Sequence, residues 1–254
     1  MKIINQLKLT TTLLFFAFSI SILSAKNQSS EKKQFISLFN GNNLSGWTVK
    51  CLPTDKDKDF WTVVDEAIEC NSLNDAEHDY MWLLSNQEFS DFELKLKFQA
   101  FRESPGNSGV QFRSRYNAND KAEGSFWLDG PQVDIDPTTQ WRTGLIYDET
   151  WGEKRWICPS LKDWSIDQSS APKNVKFVFA DDQNGWNDLR IVAKGNNIQT
   201  FLNGNLVVDY NGDGVLNNAA HVAKNVDKKG HIALQLHKTN RLKMRYKDIF
   251  IREL

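Results

Sequence analysis

The sequence has few of the residues that build metal centres and disulfide frameworks. Its 254 residues include three cysteines and four histidines. An odd number of cysteines leaves at least one unpaired, and Cys51, Cys70 and Cys158 lack the C-x-x-C spacing of a zinc or redox site. Cys51 and Cys70 lie on neighbouring predicted strands and could pair, but three buried free thiols are the simpler interpretation.

An excess of charge of one sign is also missing. The chain has 31 Lys and Arg against 32 Asp and Glu, which gives a formal net charge of −1. Surfaces that bind nucleic acid need clustered positive charge, so no nucleic-acid partner is expected. The H-E-x-x-H, G-x-S-x-G and phosphate-loop patterns are absent too, so the sequence does not indicate a zinc protease, a serine hydrolase or a nucleotide-binding protein.

One continuous apolar stretch occurs near the N-terminus. Lysines precede it, and it ends at the small pair Ser24-Ala25. It is short for a transmembrane helix and has the layout of a secretory signal. We predict a signal peptide over residues 1–25, a disordered leader over residues 26–34, and a periplasmic or secreted protein without membrane contact after cleavage. An uncleaved anchor is the alternative, and no cysteine follows the stretch as a lipoprotein anchor would require.

The rest of the chain alternates between apolar and polar residues with the period of two that strands require. Over residues 89–101, apolar side chains occupy one parity and charged or amide side chains the other. Asn203-Gly204 separates two such runs and is a strong hairpin-turn signal. No long amphipathic helix is evident, although residues 215–226 could form one or two turns. We therefore predict an all-β protein with a single jelly-roll β-sandwich over residues 35–254.

A polar face is expected on the strand that contains Gly130–Asp136. Gln132, Asp134 and Asp136 would share one side of that strand. Two carboxylates and an amide are costly to bury in a core but not in a wet groove, and a solvent-facing sheet surface is the alternative. The pattern is similar to the acidic runs of jelly-roll glucanases, but Gln132 stands where their first acid stands. Because an amide cannot act as a carboxylate nucleophile, the two-carboxylate retaining mechanism is not supported.

Two further strands offer groups that could transfer protons. Tyr147 and Glu149 end the apolar run that follows Gly144, and Glu149 could serve as a general base or a metal ligand. A late strand presents Gln235 and His237 on one face, and histidine is the natural proton carrier near neutral pH.

Two arginines extend the candidate site. Alternation after Gly109 would present Gln111, Arg113 and Arg115 on the same side of one strand. Guanidinium groups there suit sugar hydroxyls, carboxylates or a polarised carbonyl. The alternative is that both arginines form structural salt bridges with Asp134 or Glu149.

Tryptophan is frequent, with nine residues. Some of these rings must fill the core. Trp127, Trp141 and Trp151 flank the polar strand within predicted loops, so they are the candidates for stacking on a sugar ring.

Short motifs along residues 35–254 occur in the order seen in one known family. They are Leu38-Phe39-Asn40-Gly41, Leu44-Ser45-Gly46-Trp47, Asn107–Arg113, Gly130–Asp136, Gly144–Glu149 and Gly230–His237. Together they resemble the 3-keto-disaccharide hydrolase domain family. The resemblance implies a concanavalin-like jelly roll, mostly in exported bacterial proteins, that acts on glycosides oxidised at C3. The Gln-x-Asp-Ile and Tyr-Asp-Glu runs resemble one subgroup, and Lys238 replaces a glycine that many members have after His237.

The chemistry that this resemblance implies needs one base and one electrophile. A C3 ketone acidifies the C2 hydrogen, so a base can form an enolate that expels the aglycone from C1 before water adds. Asp134 or Glu149 would be the base or a ligand of a divalent metal ion, His237 would move the second proton, and Arg113 would polarise the ketone. The remaining candidates would bind the glycoside or oligosaccharide substrate: Gln132, Tyr147, Gln111, Arg115, Gln235, Trp127, Trp141 and Trp151. A non-catalytic carbohydrate-binding module and a conventional glycoside hydrolase are the alternatives.

Overall fold

The alternating segments form two antiparallel β-sheets whose apolar faces pack against each other. The computed structural model describes residues 33–183 and 185–254. The predicted signal peptide and residues 26–32 of the predicted leader lie outside the described residues. Within these ranges strands dominate, and helical structure is limited to one short α-helix and two 3-10 turns. The prediction of an all-β sandwich is therefore confirmed.

The first sheet, called the back sheet below, has eight strands. Its spatial order is β14 (Asn205–Asn211), β13 (Asn197–Leu202), β12 (Asn187–Lys194), β6 (Phe92–Ala100), β16 (Lys243–Glu253), β4 (Ala67–Asn71) and β3 (Trp61–Val64). The short strand β1 (Ile36–Ser37) pairs with β16 off this path.

The second sheet, called the front sheet, also has eight strands. Its order is β11 (Arg155–Cys158), β10 (Ile146–Asp148), β9 (Pro131–Ile135), β7 (Ser108–Tyr116), β15 (Gly230–Leu236), β5 (Met81–Phe89) and β2 (Trp47–Lys50). The two-residue strand β8 (Leu128–Asp129) pairs with β7. The α-helix α1 (Ala219–Ala223) lies in the segment for which one or two helical turns are predicted.

Alternation along β6 explains why the two sheets pack against each other. Leu94 and Leu96 are buried and pair across the ladder with residues of β12, whereas Lys95 between them faces outward. The Phe92 ring meets the Phe112 ring of β7 with centroids 6.0 Å apart, which joins the back sheet to the front sheet. Each such side chain contributes about 1.5–3 kcal/mol when it leaves water. Polar residues of opposite parity on the front sheet must then lie on its outer face.

Two hairpin turns match their sequence signals. Asn203 and Gly204 join β13 to β14 with φ of 49° and 79°, the positive values that a two-residue turn of this type needs. Asp65 and Glu66 join β3 to β4 in the same way, with φ of 49° and 58°. Both turns follow from the short polar pairs between apolar runs.

The three cysteines are free. Cys70 is buried, as expected for a small apolar side chain, whereas Cys51 and Cys158 are half-buried. Burial raises the pKa of the Cys158 thiol to about 11, so it stays protonated and unreactive at neutral pH. In residues 33–183 and 185–254, no helix has the length and apolar character needed to cross a membrane.

Candidate active site

The outer face of the front sheet carries a row of polar side chains. The ladder aligns Tyr147 of β10 with Gln132 of β9, and Gln132 with Gln111 of β7. Two residues along β9, Asp134 lies opposite Gly109. Since side chains of one parity share a face, Gln132 and Asp134 both point outward while Val133 between them enters the core. The common face predicted for Gln132 and Asp134 is therefore observed.

Asp134 is a buried carboxyl group at the centre of this row. Its side chain is 4% exposed and accepts a hydrogen bond from Asn107 Nδ2 at 3.1 Å, with Gln132 Nε2 at 3.5 Å. Burial, together with the charges of Asp136 and Glu149, raises the pKa of Asp134 to about 8, against the Asn107 hydrogen bond. At neutral pH Asp134 is therefore mostly protonated and can donate a proton.

Gly109 provides the space for this arrangement. A Cβ at position 109 would lie 2.3 Å from Cδ of Gln132, which is closer than side chains ever approach. The Gln132 amide can lie across β7 and reach Asp134 only because residue 109 has no side chain.

Glu149 is the second buried carboxyl group. It follows β10 directly, its backbone N–H donates to Gly130 O at 3.1 Å, and its side chain is 6% exposed. Gln235 Nε2 donates to Glu149 Oε1 at 3.2 Å. Burial raises the pKa of Glu149 to about 7, although the Gln235 hydrogen bond and the Lys154 charge oppose the rise. A carboxyl group with this pKa is poised to act as a base near neutral pH.

An aromatic cluster lines one side of the two carboxyl groups. The Trp127 ring meets Tyr80, Trp82 and Trp151 edge to face, with centroids 4.8, 5.4 and 5.9 Å away. Trp127 Nε1 also donates to Glu149 O at 2.6 Å, which fixes the backbone of the acid to the cluster. These rings form a group separate from the main core, so their packing serves the outer face of the front sheet.

His237 joins this cluster through Tyr80. Its Nε2 lies 2.9 Å from the Tyr80 hydroxyl, and its Nδ1 lies 3.1 Å from Lys238 O. Burial lowers the pKa of His237, so the ring is neutral at pH 7. Burial and the nearby Glu149 charge raise the pKa of Tyr80. Tyr80 therefore keeps its proton and can share it with His237 or with a ligand.

Several buried polar atoms on this face have no hydrogen-bond partner among the described residues. They are Oε1 of Gln111, Gln132 and Gln235, together with Nε1 of Trp82. Buried polar groups are nearly always hydrogen-bonded in folded proteins. These four unpaired atoms lie on four adjacent strands of the front sheet, β9, β7, β15 and β5.

Nearly all of the described chain matches one family model. Residues 34–252 match the model of the 3-keto-alpha-glucoside-1,2-lyase-like domain. The chain belongs to this family. Membership supports a carbohydrate-related function for the protein. No curated protein matches the sequence significantly.

Solved structures with the same fold are also carbohydrate-related. One is a Parabacteroides distasonis ATCC 8503 protein provisionally described as a glycosyl hydrolase, with 16% identity over 87% of this chain and 94% of that chain at a TM-score of 0.56. The carbohydrate-binding module CBM66 from Bacillus subtilis has 16% identity, and the match covers 82% of this chain and 96% of that chain at a TM-score of 0.50. A laminarinase from Rhodothermus marinus has 9% identity, and the match covers 88% of this chain and 97% of that chain at a TM-score of 0.51. At these identities the likeness concerns the fold, and it confirms the jelly-roll prediction.

The structure does not place Arg113 and Arg115 in contact with Asp134 or Glu149. Arg113 has a φ of 51° in β7, and the ladder between β7 and β15 shifts register at this point. The break turns the Arg113 side chain toward Asp91 Oδ1 at 3.1 Å and Gly195 O at 2.7 Å. Arg115 binds Glu88 through two hydrogen bonds of 2.7 and 3.0 Å. The expectation of one shared face for Gln111, Arg113 and Arg115 is wrong, because β7 does not keep its alternation. The arginines are paired, but with other acids than those expected.

Most of the other predicted site residues lie on the outer face of the front sheet, and Trp141 does not. Trp141 packs against the main core rather than joining the Trp127 cluster. The remaining candidates lie on the outer face or in its aromatic cluster: Asp134, Glu149, Gln132, Tyr147, Gln111, Gln235, His237, Trp127 and Trp151. Burial together with the charges of Glu149, Asp148 and Asp134 raises the pKa of Tyr147 to about 12, so Tyr147 is protonated beside the acids.

Sequence reasoning missed Tyr80, Trp82, Asn107 and Lys154. The apolar run Met81–Leu84 does not alternate, so it gives no sequence signal for the side of the sheet that Trp82 occupies. In the structure the ladder aligns Trp82 with Gln235. Asn107 and Lys154 lie in connecting segments, where no periodicity predicts the direction of a side chain.

A divalent metal ion remains a prediction. Within the part of the chain that the structure describes, no three His, Cys, Asp or Glu side chains are grouped as a metal-binding cluster. Asp134 and Glu149 are the two acids that could contribute ligands, with amide oxygens of Gln132 and Gln235 beside them.

Proposed function

We propose that this chain cleaves 3-keto-glycosides by elimination across C1 and C2, followed by addition of water. The observation that carries the proposal is the pair of buried carboxyl groups on the outer face of the front sheet, Asp134 held by Asn107 and Glu149 held by Gln235. Burial raises the pKa of both groups toward neutrality, so one can donate and the other accept a proton near pH 7. The proposal also rests on membership of the 3-keto-alpha-glucoside-1,2-lyase-like family.

Glu149 is the proposed base. Its ionised fraction is substantial at pH 7, and the optimal base has a pKa near the working pH. The Glu149 carboxylate takes the C2 proton, which the C3 ketone makes acidic, and the C2–H electron pair forms the enolate. Collapse of the enolate restores the C3 carbonyl, forms the C1–C2 double bond and breaks the C1–O bond to the aglycone.

Asp134 is the proposed acid. Being protonated at neutral pH, it can give its proton to the departing aglycone oxygen. Addition of water reverses both transfers, because the Asp134 carboxylate takes a proton from water as its oxygen bonds to C1. Glu149 exchanges its proton with solvent when water enters, and it then protonates C2 with a solvent-derived proton. The sum of the two stages is hydrolysis with one water consumed.

The surrounding residues are proposed to hold the sugar. The unpaired amide oxygens of Gln132 and Gln235 would accept hydrogen bonds from hydroxyl groups, and the Tyr80–His237 pair would share a proton with another. The substrate would be a glycoside or oligosaccharide oxidised at C3. We further propose that the protein is exported to the periplasm or secreted, on the strength of the N-terminal sequence pattern.

The test is turnover of matched substrates. Pairs of glucosides and their 3-keto derivatives are incubated with the full mature protein, with and without chelator, and products are followed by mass spectrometry. We expect release of aglycone from the 3-keto members only. Glu149→Gln and Asp134→Asn should each lose at least about 100-fold in kcat, as expected when a catalytic proton transfer is removed. Glu103→Gln, at an exposed position, is the matched control and should be unchanged.

Other outcomes would reject the proposal in favour of the alternatives. Binding of unoxidised glycans without any turnover of 3-keto substrates would indicate a carbohydrate-binding module. Faster cleavage of the unoxidised glucosides would indicate a conventional glycoside hydrolase.

A further inference from the structure

The proposed reaction needs a positive or hydrogen-bond-donating group at the ketone oxygen, and Arg113 does not supply it. Other cations lie around the outer face of the front sheet, and three of them are near the aromatic cluster or the two acids. Arg142 lies 3.8 Å from Asp136 and over the Trp141 ring, away from the aromatic cluster. Lys238 lies 5.7 Å from the Tyr80 ring centroid. Lys154 is the cation whose charge acts on Glu149.

Lys154 is held by two tryptophan rings. Its Nζ lies 3.6 Å from the Trp127 ring centroid and 4.1 Å from the Trp151 ring centroid. A cation over two indole faces is attracted by both ring quadrupoles, which restrains an otherwise mobile side chain. The same Trp127 ring donates its N–H to Glu149 O, so the ammonium and the proposed base are fixed to one indole.

The Lys154 ammonium has no anionic partner in the described structure. Among the described residues no salt bridge or hydrogen bond ends at its Nζ, and the charges of Glu149, Asp129 and Asp79 act on it only from beyond ion-pair distance. Lys154 is also exposed, so a ligand can reach it. A restrained, accessible cation that no acid contacts, beside a base, is an arrangement that can stabilise an oxyanion formed by that base.

The backbone that carries Lys154 is anchored as well. Lys154 has a φ of 38°, an unusual value for a residue with a side chain, and its N–H donates to Thr150 O at 3.2 Å. On either side of the loop, His221 Nε2 lies 3.2 Å from Asp148 and Asn218 Nδ2 donates to Glu153 at 3.2 Å. Residues from the start of α1 therefore fix the loop that presents both Glu149 and Lys154.

We propose that Lys154 is a catalytic residue whose ammonium binds the C3 oxygen and stabilises the enolate. This inference rests on the proposed function. When Glu149 takes the C2 proton, the C2–H electron pair forms the C2–C3 double bond and the carbonyl electrons move to the C3 oxygen. The Lys154 ammonium donates a hydrogen bond to that oxyanion, and the charge returns to the ring when the C1–O bond breaks. The faces of Trp127 and Trp151 that Lys154 covers then hold the ammonium in place. They do not stack on the sugar ring, which is the role that the sequence predicts for them.

The test isolates enolate formation from bond cleavage. A 1,5-anhydro-3-keto-hexitol has the C3 ketone but no leaving group at C1, so enolisation appears only as exchange of the C2 hydrogen with D₂O, followed by NMR. Exchange at C4, which is also next to the ketone, reports the uncatalysed background. The variants are Lys154→Met, Lys154→Arg and the control Lys247→Met, whose Nζ lies 4.2 Å from the Trp186 ring centroid on the back sheet.

We expect Lys154→Met to lower the enzyme-catalysed C2 exchange rate by about 100-fold, the loss typical of removing one oxyanion donor. Lys154→Arg should stay within about tenfold of wild type because it keeps the charge. Lys247→Met should match wild type. Thermal midpoints of all variants show whether the fold is intact.

Four results would overturn the assignment. Exchange within about threefold of wild type in a folded Lys154→Met would show that the ammonium does not stabilise the enolate, as judged against the usual effect of such a donor. If Lys154→Met changes KM alone, Lys154 is a binding residue and not a catalytic one. If a folded Lys154→Arg loses as much exchange as Lys154→Met, the charge is not the cause of the effect. Absence of C2 exchange in wild type would instead overturn the proposed function and this assignment together.

Discussion

Replacement of Asp134 by asparagine should stabilise the protein at neutral pH while abolishing activity. The pKa of Asp134 rises from 3.8 in a free carboxyl group to about 8 in the folded protein. The folded state therefore holds a proton between these values that the unfolded state has released, and the free energy of unfolding falls as the pH rises from about 4 to about 8. At about 1.4 kcal/mol per pH unit, this loss reaches about 4 kcal/mol at pH 7.

Asparagine is close in shape to aspartate and cannot ionise. Its side-chain oxygen can still accept the hydrogen bond from Asn107, so the packing around position 134 is retained. Asp134→Asn should therefore match wild type in stability near pH 4 and exceed it at pH 7 by up to about 4 kcal/mol. The pH slope of Asp134→Asn should not vanish entirely, because Glu149 contributes in the same direction.

The assay is urea denaturation at five pH values between 4 and 8. Wild type and Asp134→Asn are compared with Asp120→Asn, which alters an exposed carboxylate. If Asp134→Asn has the same pH slope as wild type, Asp134 is not a buried acid of raised pKa, and its proposed role as proton donor loses its basis.

Three further predictions concern the same site. The kcat/KM of wild type on a 3-keto-glucoside should rise through a pKa of about 7 and fall through a pKa of about 8, so that activity at pH 5 is about 50–100-fold below the maximum. A flat acid limb would exclude Glu149 as the base. Gly109→Ala should raise KM about tenfold by displacing the Gln132 amide, with Gly212→Ala, whose Cβ would press on Leu216 after the end of β14, as the steric control. An unchanged KM would show that Gln132 does not contact the sugar. His221→Ala should lower the free energy of unfolding by about 2–3 kcal/mol, because buried Asp148 loses a partner. Urea denaturation measures this, and a loss below about 0.5 kcal/mol would show that solvent replaces the histidine.

The sandwich could be predicted because its strands obey one simple rule. In β6 every second residue is apolar, and the ladder to β12 places these residues in the core as expected. The turn at Asn203-Gly204 follows from backbone conformations that few residue pairs adopt. Local rules of this kind act within a few residues, so the sequence alone is enough to apply them.

The candidate site was predictable where the same rule holds. Gln132 and Asp134 lie on a regular strand, and their common outer face follows from alternation. Arg113 shows where this reasoning fails, because its positive φ interrupts the alternation of β7 and redirects the side chain. No residue type in that stretch signals the irregularity.

Lys154 illustrates a second limit. Its position depends on contacts with Trp127 and Trp151 and on a loop that α1 anchors from far along the chain. Such contacts arise only when distant segments pack together, and periodicity within one segment contains no information about them.

The central claim is that the glycosidic bond breaks by elimination across C1 and C2, and the fate of the C2 hydrogen tests it most directly. A 3-keto-glucoside is cleaved in D₂O, and the product is examined by NMR and mass spectrometry at early times, with exchange at C4 as the background. The account predicts that every released sugar has lost its C2 protium, either as the C1–C2 enone or as the hydrated product with deuterium at C2. Release of the aglycone with C2 protium retained would contradict it.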